Sequence, residues 1–442
     1  MAGVQQPDEP SSAESAPHRF RLPDGEVVGL PSPPDDTRAC RAQIEPWLSS
    51  MFQAEHLSLL LGRGFTLGVG AACGERIVDV DALVFPEQFA EPIFRAAAAS
   101  AVRIGRGEAN FEDQIRCASE LLAGLRILRK SEEYASLSKA LDGALQALLE
   151  GILRAEGTIE RGLAAVDAGG SRGRDALGPF LMSFASRSAS RERLHIFTTN
   201  YDRVIEHGCD RTGLRIVDRF VGAIEPVFRS SRLEVDLHYN PPGIRGEPRF
   251  LEGVIRLTKL HGSADWRFSD ARVRRIGLPF GGRQLGEPSA DPSTAVVIFP
   301  NASKDVETSE YPYSELFRDF SAGVCRPNSV LVAYGYGFGD SHINATIRDM
   351  LTIPSTHLVI ISFDEAGGRI RRFIDASGHD AQISYLIGSH FGDLTTLTRY
   401  YLPKPAIDII TARRSQLVQE RGATARALDF AGPSDEGERA PE

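Results

Sequence analysis

The stretch HIFTTNYD at residues 195–202 decides the fold class of this 442-residue chain. An apolar run stops abruptly at polar side chains, and the pair Val204-Ile205 then begins a helix-like pattern. A buried parallel strand delivers polar residues in this way to the carboxyl edge of a sheet, where open α/β folds bind ligands. The alternative is an ordinary strand end at which Asn200 and Asp202 only cap the next helix.

Four other apolar runs also end in polar or glycine-rich segments. These endings are GRGFTLG at 62–68, HGS at 261–263, GYGFGD at 335–340 and DE at 364–365. In a doubly wound sheet such strand ends meet along one crevice. Two glycine turns suit phosphates and the carboxylate of Asp364 suits a ribose hydroxyl, so together they predict a dinucleotide site. The sequence therefore predicts an α/β fold with a doubly wound, mostly parallel, Rossmann-like sheet.

Apolar residues recur at helical spacing between the first glycine turn and the HIFTTNYD stretch, which predicts an inserted helical subdomain. The N-terminal segment is rich in Pro, Ser, Glu and Asp, a composition typical of disorder. The predicted organisation is a disordered arm at 1–38, a nucleotide-binding domain at 39–74 and 191–402, the insertion at 75–190, a helix at 403–420 and a disordered tail at 421–442.

Composition excludes several classes of protein. A hydrophobic content of 42% and a charged content of 25% are typical of a soluble globular protein, and the net charge of -9 argues against a general nucleic-acid surface. The five cysteines form no CxxC pair, so neither a disulfide framework nor a thiolate zinc site is expected. No signal peptide or membrane-spanning pattern is present, which predicts a cytoplasmic location.

Four blocks resemble the sirtuins. Residues 198–202 (TTNYD) resemble their T-Q-N-I-D motif, 260–262 (LHG) their catalytic L-H-G, and 62–66 (GRGFT) their G-A-G-I-S. The block 335–344, GYGFGDSHIN, is more similar to the sirtuin-like NAD-consuming domains of bacterial anti-phage defence systems. The resemblance covers about residues 57–68 and 194–400, with the blocks in the same order.

The resemblance implies that NAD is the substrate and that the bond between nicotinamide and ribose is broken. By position, Asn200 would orient water or ribose, Asp202 would hold the nicotinamide carboxamide, and His261 would be the general base. A free imidazole has a pKa of about 6.5 and accepts a proton at neutral pH. The remaining residues expected to contact NAD are Gly62, Arg63, Gly64, Phe65, Thr66, Thr199, Tyr201, Gly335, Tyr336, Phe338, Asp340 and Asp364.

Two departures from the family bear on function. Deacylating sirtuins carry paired cysteines that bind zinc, and their lack here favours an NAD glycohydrolase, which releases nicotinamide and ADP-ribose, over a deacylase or ADP-ribosyltransferase. Arg63 stands where the family has a small residue. It could bind the NAD phosphates, or it could obstruct the turn. The second case leaves a sensor or scaffold that binds NAD or ADP-ribose without turnover.

The chain length and motifs are also similar to the sirtuin-like proteins that pair with HerA-type hexameric ATPases. That similarity implies a homo-oligomer and such an ATPase as partner. No membrane partner, no direct nucleic-acid binding and no bound metal are expected. The alternative for His261 is a strand-end histidine bonded to a neighbouring carbonyl.

Overall fold

The computed structural model describes most of the chain up to residue 404. The helix predicted at 403–420 therefore lies outside the described residues except for its first two positions, and the predicted tail at 421–442 lies wholly outside them. The described ranges are 16–23, 25–31, 37–78, 83–103, 107–188, 190–231, 236–239, 249–269, 272–282, 295–297 and 312–404.

The centre of the fold is a nine-stranded sheet in which the seven strands from β16 to β5 are parallel and the two at the other end are antiparallel. Along the sheet the order is β2-β1-β16-β15-β14-β3-β4-β10-β5. The strands are β1 (His18–Arg21), β2 (Val28–Leu30), β3 (His56–Leu61), β4 (His195–Thr198), β5 (Arg215–Val217), β10 (Val254–Lys259), β14 (Ser329–Tyr334), β15 (His357–Ser362) and β16 (Ile383–Ile387).

Helices cover both faces of this sheet. Leu59 of β3 belongs to one apolar core and Leu60 to the other, because successive strand residues point to opposite faces. The first core is covered by α1 (Arg38–Met51), α2 (Arg63–Ala72), α6 (Ala168–Ala185) and α7 (Val204–Thr212). The second core is covered by α8 (Tyr313–Val324), α9 (Ser341–Leu351) and α10 (Arg369–Ser377). The predicted doubly wound α/β fold is confirmed.

The helical insertion has a hydrophobic core of its own. It is built by α3 (Glu87–Arg103), α4 (Phe111–Ile127) and the first part of α5 (Ser131–Ala164). The predicted boundary at residue 190 is too late, because the end of α5 and all of α6 pack on the sheet core. Helical periodicity shows that a helix has an apolar face, but not which core that face meets.

A second, antiparallel sheet follows β10, in the order β13-β11-β12-β7-β6. Gly262 begins β11 with a φ of 84°, a conformation that favours glycine, and lets the chain leave the main sheet directly after His261. The strands are β6 (Phe220–Val221), β7 (Val227–Phe228), β11 (Gly262–Ser269), β12 (Arg272–Arg275) and β13 (Ala295–Val297), and β8 (His238–Tyr239) pairs separately with β9 (Arg249–Phe250).

The prediction of a disordered arm at 1–38 is wrong for part of its length. Strand β1 pairs antiparallel with β16, and β2 pairs with β1, so both extend the main sheet. Phe20 is buried there, against Phe391. The composition hid this because pairing with a strand more than 350 residues away leaves no local signal.

The last described segment completes the layer beside β16. It contains a 3-10 turn at Asp380–Gln382, short helices α11 (Ser389–Gly392) and α12 (Leu394–Thr396), and a π-helical turn at Leu397–Tyr401. Across the described ranges, no helix is both long and apolar enough to span a bilayer.

Candidate functional site

The register of the main sheet brings the polar strand ends to one level. Leu61 pairs with Thr198 on one side and with Tyr334 on the other, and Thr198 pairs with Lys259. The residues that follow these strands therefore emerge side by side at the carboxyl edge. From β3 the chain builds outward to β4 and β10 on one side and to β14 and β15 on the other. This is a topological switch point, the place where open α/β sheets bind ligands.

Two glycine turns pack against each other at the switch point. A Cβ on Gly62 would lie 2.5 Å from the Gly335 carbonyl oxygen, and one on Gly64 would lie 2.6 Å from the Gly335 Cα. The Gly62 N–H donates to Tyr334 O at 3.2 Å and the Gly64 N–H donates to Gly335 O at 2.9 Å. These two N–H groups are therefore already bonded within the protein, and the predicted phosphate contact of the glycine turns stays a prediction. All three glycines serve the close approach of the turns.

Asn200 is held firmly beneath this contact. It is buried, and its Nδ2 donates to Gly62 O and to Thr66 Oγ1, both at 3.0 Å. Its backbone N–H donates to Thr198 Oγ1 at 3.1 Å. Because both amide hydrogens are engaged, Oδ1 is the atom of this side chain that can accept a hydrogen bond from water or from a hydroxyl group.

Asp202 stands at the start of α7. Its Oδ2 accepts a hydrogen bond from Thr66 Oγ1 at 2.7 Å, and its Oδ1 accepts one from the Val204 N–H at 3.2 Å. Asp202 therefore does cap the start of α7, as the helix-capping alternative expected. Thr66 links Asp202 to Asn200, so the three polar side chains form one continuous network across β3 and β4.

His261 faces a buried carboxylate. Its Nε2 lies 3.0 Å from Asp340 Oδ2, and both side chains are 7% exposed. Asp340 also caps α9, because its Oδ1 accepts from the N–H groups of His342 and Ile343. The alternative for His261 was a hydrogen bond to a backbone carbonyl, but its partner here is the side chain of Asp340. Asp340 thus contacts His261, and its predicted contact with NAD stays a prediction.

Tyr201 connects the site to the helical insertion. Its Oη donates to Glu112 Oε1 of α4 at 2.8 Å, and its ring lies 6.1 Å from the ring of His261. Burial, followed by the charge of Glu112, raises the pKa of Tyr201 well above its usual value, so the hydroxyl keeps its proton. Tyr201 also belongs to the core of the insertion. Its predicted contact with NAD stays a prediction.

Three aromatic residues predicted to contact NAD lie in the apolar cores instead. Phe65 is fully buried against Phe180, with ring centroids 5.4 Å apart. Tyr336 and Phe338 are buried together in the opposite core, with centroids 4.9 Å apart. These predictions are wrong because the motif fixes where the turn lies, while the direction of each side chain depends on the backbone of the turn.

Arg63, Thr199 and Asp364 remain at the accessible side of the site. Arg63 is exposed. The protein around its guanidinium partly removes it from water, which lowers its pKa, and the negative charges of Asp202 and Glu112 oppose that shift. Thr199 is half-buried, and Asp364 is exposed with its Oδ1 accepting from the Ala366 N–H at 2.7 Å. The predicted contacts of these three residues with phosphate and ribose groups stay predictions.

The sequence did not point to the buried charges behind the site. Lys259 is buried, and its Nζ donates to the Asp202 carbonyl and, at 3.1 Å, to Glu206 Oε1. Arg203 is paired with the fully buried Glu156 of α5, whose Oε1 accepts from the Arg203 N–H at 2.8 Å. The available signals were a charged residue at the end of a strand, Lys259, and another directly after Asp202, Arg203. Nothing in the sequence indicated that Glu156 of α5 would be the partner of Arg203.

A separate cavity of about 290 Å³ lies at the opposite, amino edge of the sheet. Its charged groups already bond to each other: Arg326 contacts Glu192 at 2.9 Å, and Arg256 contacts Asp236 at 2.8 Å. Five residue steps along β3 place it roughly 17 Å from the switch point. It takes no part in the site described above.

The described residues hold no group of three or more His, Cys, Asp or Glu side chains arranged to bind a metal ion. A doubly wound sheet with polar side chains gathered at its switch point defines a Rossmann-like ligand-binding domain. Residues 194–381 match the family described as a SIR2-like domain, a family of NAD-dependent enzymes. The matched range includes Asn200, His261 and Asp340 and excludes the Gly62 turn. No curated protein matches the chain.

Proposed function

We propose that this protein is an NAD glycohydrolase that cleaves the bond between nicotinamide and ribose to give nicotinamide and ADP-ribose. The observation that carries the proposal is that Asn200 and His261 lie at the same level of the sheet edge. They follow neighbouring strands at the switch point of a SIR2-like domain, and His261 is held by a buried carboxylate. Both are placed by hydrogen bonds before any substrate arrives, which is the pre-organisation that catalysis requires.

The reaction would proceed through a transition state like an oxocarbenium ion. The bond from ribose C1′ to the nicotinamide nitrogen breaks, and its electron pair leaves with neutral nicotinamide. A water molecule then forms a bond to C1′ and gives up a proton to the imidazole of His261. Asn200 Oδ1 would orient that water. Asp202 would hold the carboxamide, using lone pairs that its bonds to Thr66 and Val204 leave available.

The resemblance to sirtuin-like domains of anti-phage defence supports a role in depleting NAD during infection, in the cytoplasm. An enzyme of that kind must be inactive at rest, and assembly is a common means of coupling a sensor to a site. We therefore include in the proposal a homo-oligomer and a HerA-type hexameric ATPase partner. Both rest on the resemblance.

The test is to incubate the purified full-length protein with NAD and to follow free nicotinamide and ADP-ribose by chromatography. Equal amounts of both products, formed without any peptide, are the expected result. Because the enzyme is proposed to be held inactive at rest, the assay is repeated over a range of protein concentrations that promotes assembly. Saturable NAD binding with no nicotinamide at any concentration would instead support a sensor or scaffold.

A third arm of the experiment adds an acetylated lysine peptide. Nicotinamide release that depends on the peptide would overturn hydrolysis in favour of deacylation. Nicotinamide release with ADP-ribose attached to the protein would indicate an ADP-ribosyltransferase. The Asn200→Ala variant serves as the control in every arm, because contaminating hydrolase activity would persist in it.

A further inference from the structure

We propose that Asp340 is a positioning residue which fixes the tautomer of His261, so that Nδ1 is the basic nitrogen. Asp340 would do this by accepting a hydrogen bond from the proton-bearing Nε2 of His261 on one carboxylate oxygen, while its other oxygen is committed to α9. Only the expected effect on the reaction rate rests on the proposed hydrolysis of NAD. The tautomer itself is a property of the free protein.

The two oxygens of Asp340 have separate duties. Oδ2 lies 3.0 Å from His261 Nε2, and Oδ1 accepts from the His342 N–H at 3.0 Å and the Ile343 N–H at 3.4 Å. An ionised carboxylate only accepts hydrogen bonds. Nε2 must therefore be the nitrogen that carries the proton, and a neutral ring then has its lone pair on Nδ1.

The backbone around Asp340 leaves this carboxylate little freedom to turn. The Asn344 N–H donates to the Asp340 carbonyl at 3.0 Å, and Tyr336 Oη donates to the same carbonyl at 3.3 Å. The single proton of Tyr336 Oη is shared with Asn344 Oδ1 at 3.0 Å, and Asn344 Nδ2 donates to Phe338 O at 3.0 Å. The GYGFGDSHIN block is thus a closed network that supports the side chain facing His261.

The lone pair on Nδ1 is the one that can accept a proton from the substrate side. Within the described residues, the ring of His261 makes its hydrogen bond through Nε2 alone. Tyr201, Glu112 and Tyr313 are titratable groups beside this pair, since Glu112, Tyr313 and Asp340 all act electrostatically on Tyr201. Of these, Tyr201 is stacked obliquely on the ring at 6.1 Å, and its hydroxyl is directed to Glu112.

Replacement of Asp340 by Asn separates this role from a purely structural one. Asn and Asp are equally good at capping a helix, so the Asn side chain in the Asp340→Asn variant would keep its oxygen on α9. Its amide NH₂ would then face His261, so that two hydrogen-bond donors, this NH₂ and the Nε2–H of the imidazole, would point at each other. The imidazole avoids this by moving its proton to Nδ1, which removes the basic lone pair from the cleft.

The experiment measures the tautomer directly in ¹⁵N-histidine-labelled full-length protein. Couplings from the ring carbons' protons show which nitrogen carries the proton, and His261→Gln identifies the signal among the ten histidines. Spectra are recorded at about pH 8.5, roughly two units above the ordinary imidazole pKa. Wild type is expected to show Nε2–H, and Asp340→Asn to show Nδ1–H. Wild type with Nδ1–H, or the Asp340→Asn variant with unchanged Nε2–H, would overturn the proposal.

Nicotinamide release provides the second readout. Asp340→Asn should lower kcat by about 10²-fold or more with little change in KM, as expected when a general base is lost and binding is kept. The matched control is Asp167→Asn, an exposed Asp that caps α6, a helix without histidine, by accepting from the Gly170 N–H at 2.8 Å. It should retain the wild-type rate.

The two proposals fail in different ways. If wild type does not cleave NAD but the tautomer changes as expected, the positioning role stands and the proposed function fails. If wild type cleaves NAD and Asp340→Asn cleaves it equally fast, the positioning role is overturned and the proposed function stands.

Discussion

At the scale of single residues, Asn200 and His261, the proposed catalytic pair, are also part of the buried structure. Each is more than 90% buried, and each makes hydrogen bonds that a strand-end side chain in solvent would lack. Both side chains are therefore expected to contribute to stability. Loss of Asn200 removes the donor to Gly62 O, and loss of His261 removes the hydrogen bond to Asp340 Oδ2.

We expect Asn200→Ala and His261→Ala each to lower nicotinamide release by about 10²–10⁴-fold. Each should also lower the free energy of unfolding by about 1–3 kcal/mol, because a buried polar group is left unsatisfied. The double variant should be little slower than either single one, since residues that act as a unit are not additive. Single-turnover rates and urea denaturation check both effects. Multiplicative losses in the double variant would indicate independent roles.

At the scale of elements, the contact between the two glycine turns sets the geometry of the switch point. We expect Gly64→Ala to destabilise the protein by about 1–3 kcal/mol, because its Cβ would lie 2.6 Å from the Gly335 Cα. Gly143→Ala is the matched control. It lies in α5 with nothing within 4 Å of the added atom, and should stabilise by about 0.5–1 kcal/mol.

Thermal and urea unfolding of these two glycine variants measure the difference. A Gly64→Ala protein as stable as wild type would show that the turns can separate without cost. That result would in turn reopen the Gly62 and Gly64 N–H groups as anion ligands.

The hydrogen bond between Glu112 and Tyr201 is a second contact between elements, since it joins α4 of the insertion to the segment after β4. We expect a double-mutant cycle with Glu112→Ala and Tyr201→Phe to give a coupling energy of about 1.5–3 kcal/mol, typical of a bond to a charged group. Nicotinamide release should fall in each variant, because the hydrogen bond to Glu112 holds the Tyr201 ring beside His261. A coupling near zero would mean that the insertion is held by apolar packing alone.

At the scale of the whole molecule, two half-buried histidines should make the fold sensitive to acid. Burial lowers the pKa of His357 to about 4, and burial with the charge of Arg256 lowers that of His195 to about 3. The unfolded chain binds these protons first, near pH 6.5. The stability gained by keeping the rings neutral is therefore complete above about pH 6.5 and is lost as the pH falls toward these values.

We expect the free energy of unfolding to fall by up to about 1.4 kcal/mol per pH unit for each such histidine between about pH 6 and pH 4.5. His357→Gln should remove the contribution of one histidine to this pH dependence of the free energy of unfolding, because Gln does not titrate. Gln can still form a hydrogen bond to Ser384. Urea denaturation of both proteins at several pH values gives the comparison. Equal slopes would show that His357 does not contribute.

The sequence predicted the sheet well, because alternating and continuous apolar runs such as HLSLLL at 56–61 report strand burial directly. It also predicted that Asn200, Asp202 and His261 would gather at one edge, since parallel strands share a carboxyl edge. It did not predict the inward turn of Phe65 or the bond from Glu112 to Tyr201. These depend on tertiary packing between distant segments, for which local patterns carry no signal.

Strand β1 has a consequence for how the chain should be handled in the laboratory. It covers β16, a strand whose five residues are all buried, and β2 in turn covers β1. Trimming the first 38 residues because their composition suggests disorder would strip both strands away. An apolar strand would then present its unpaired N–H and C=O groups to other molecules, a template for aggregation. Tags and cleavage sites therefore belong ahead of residue 16.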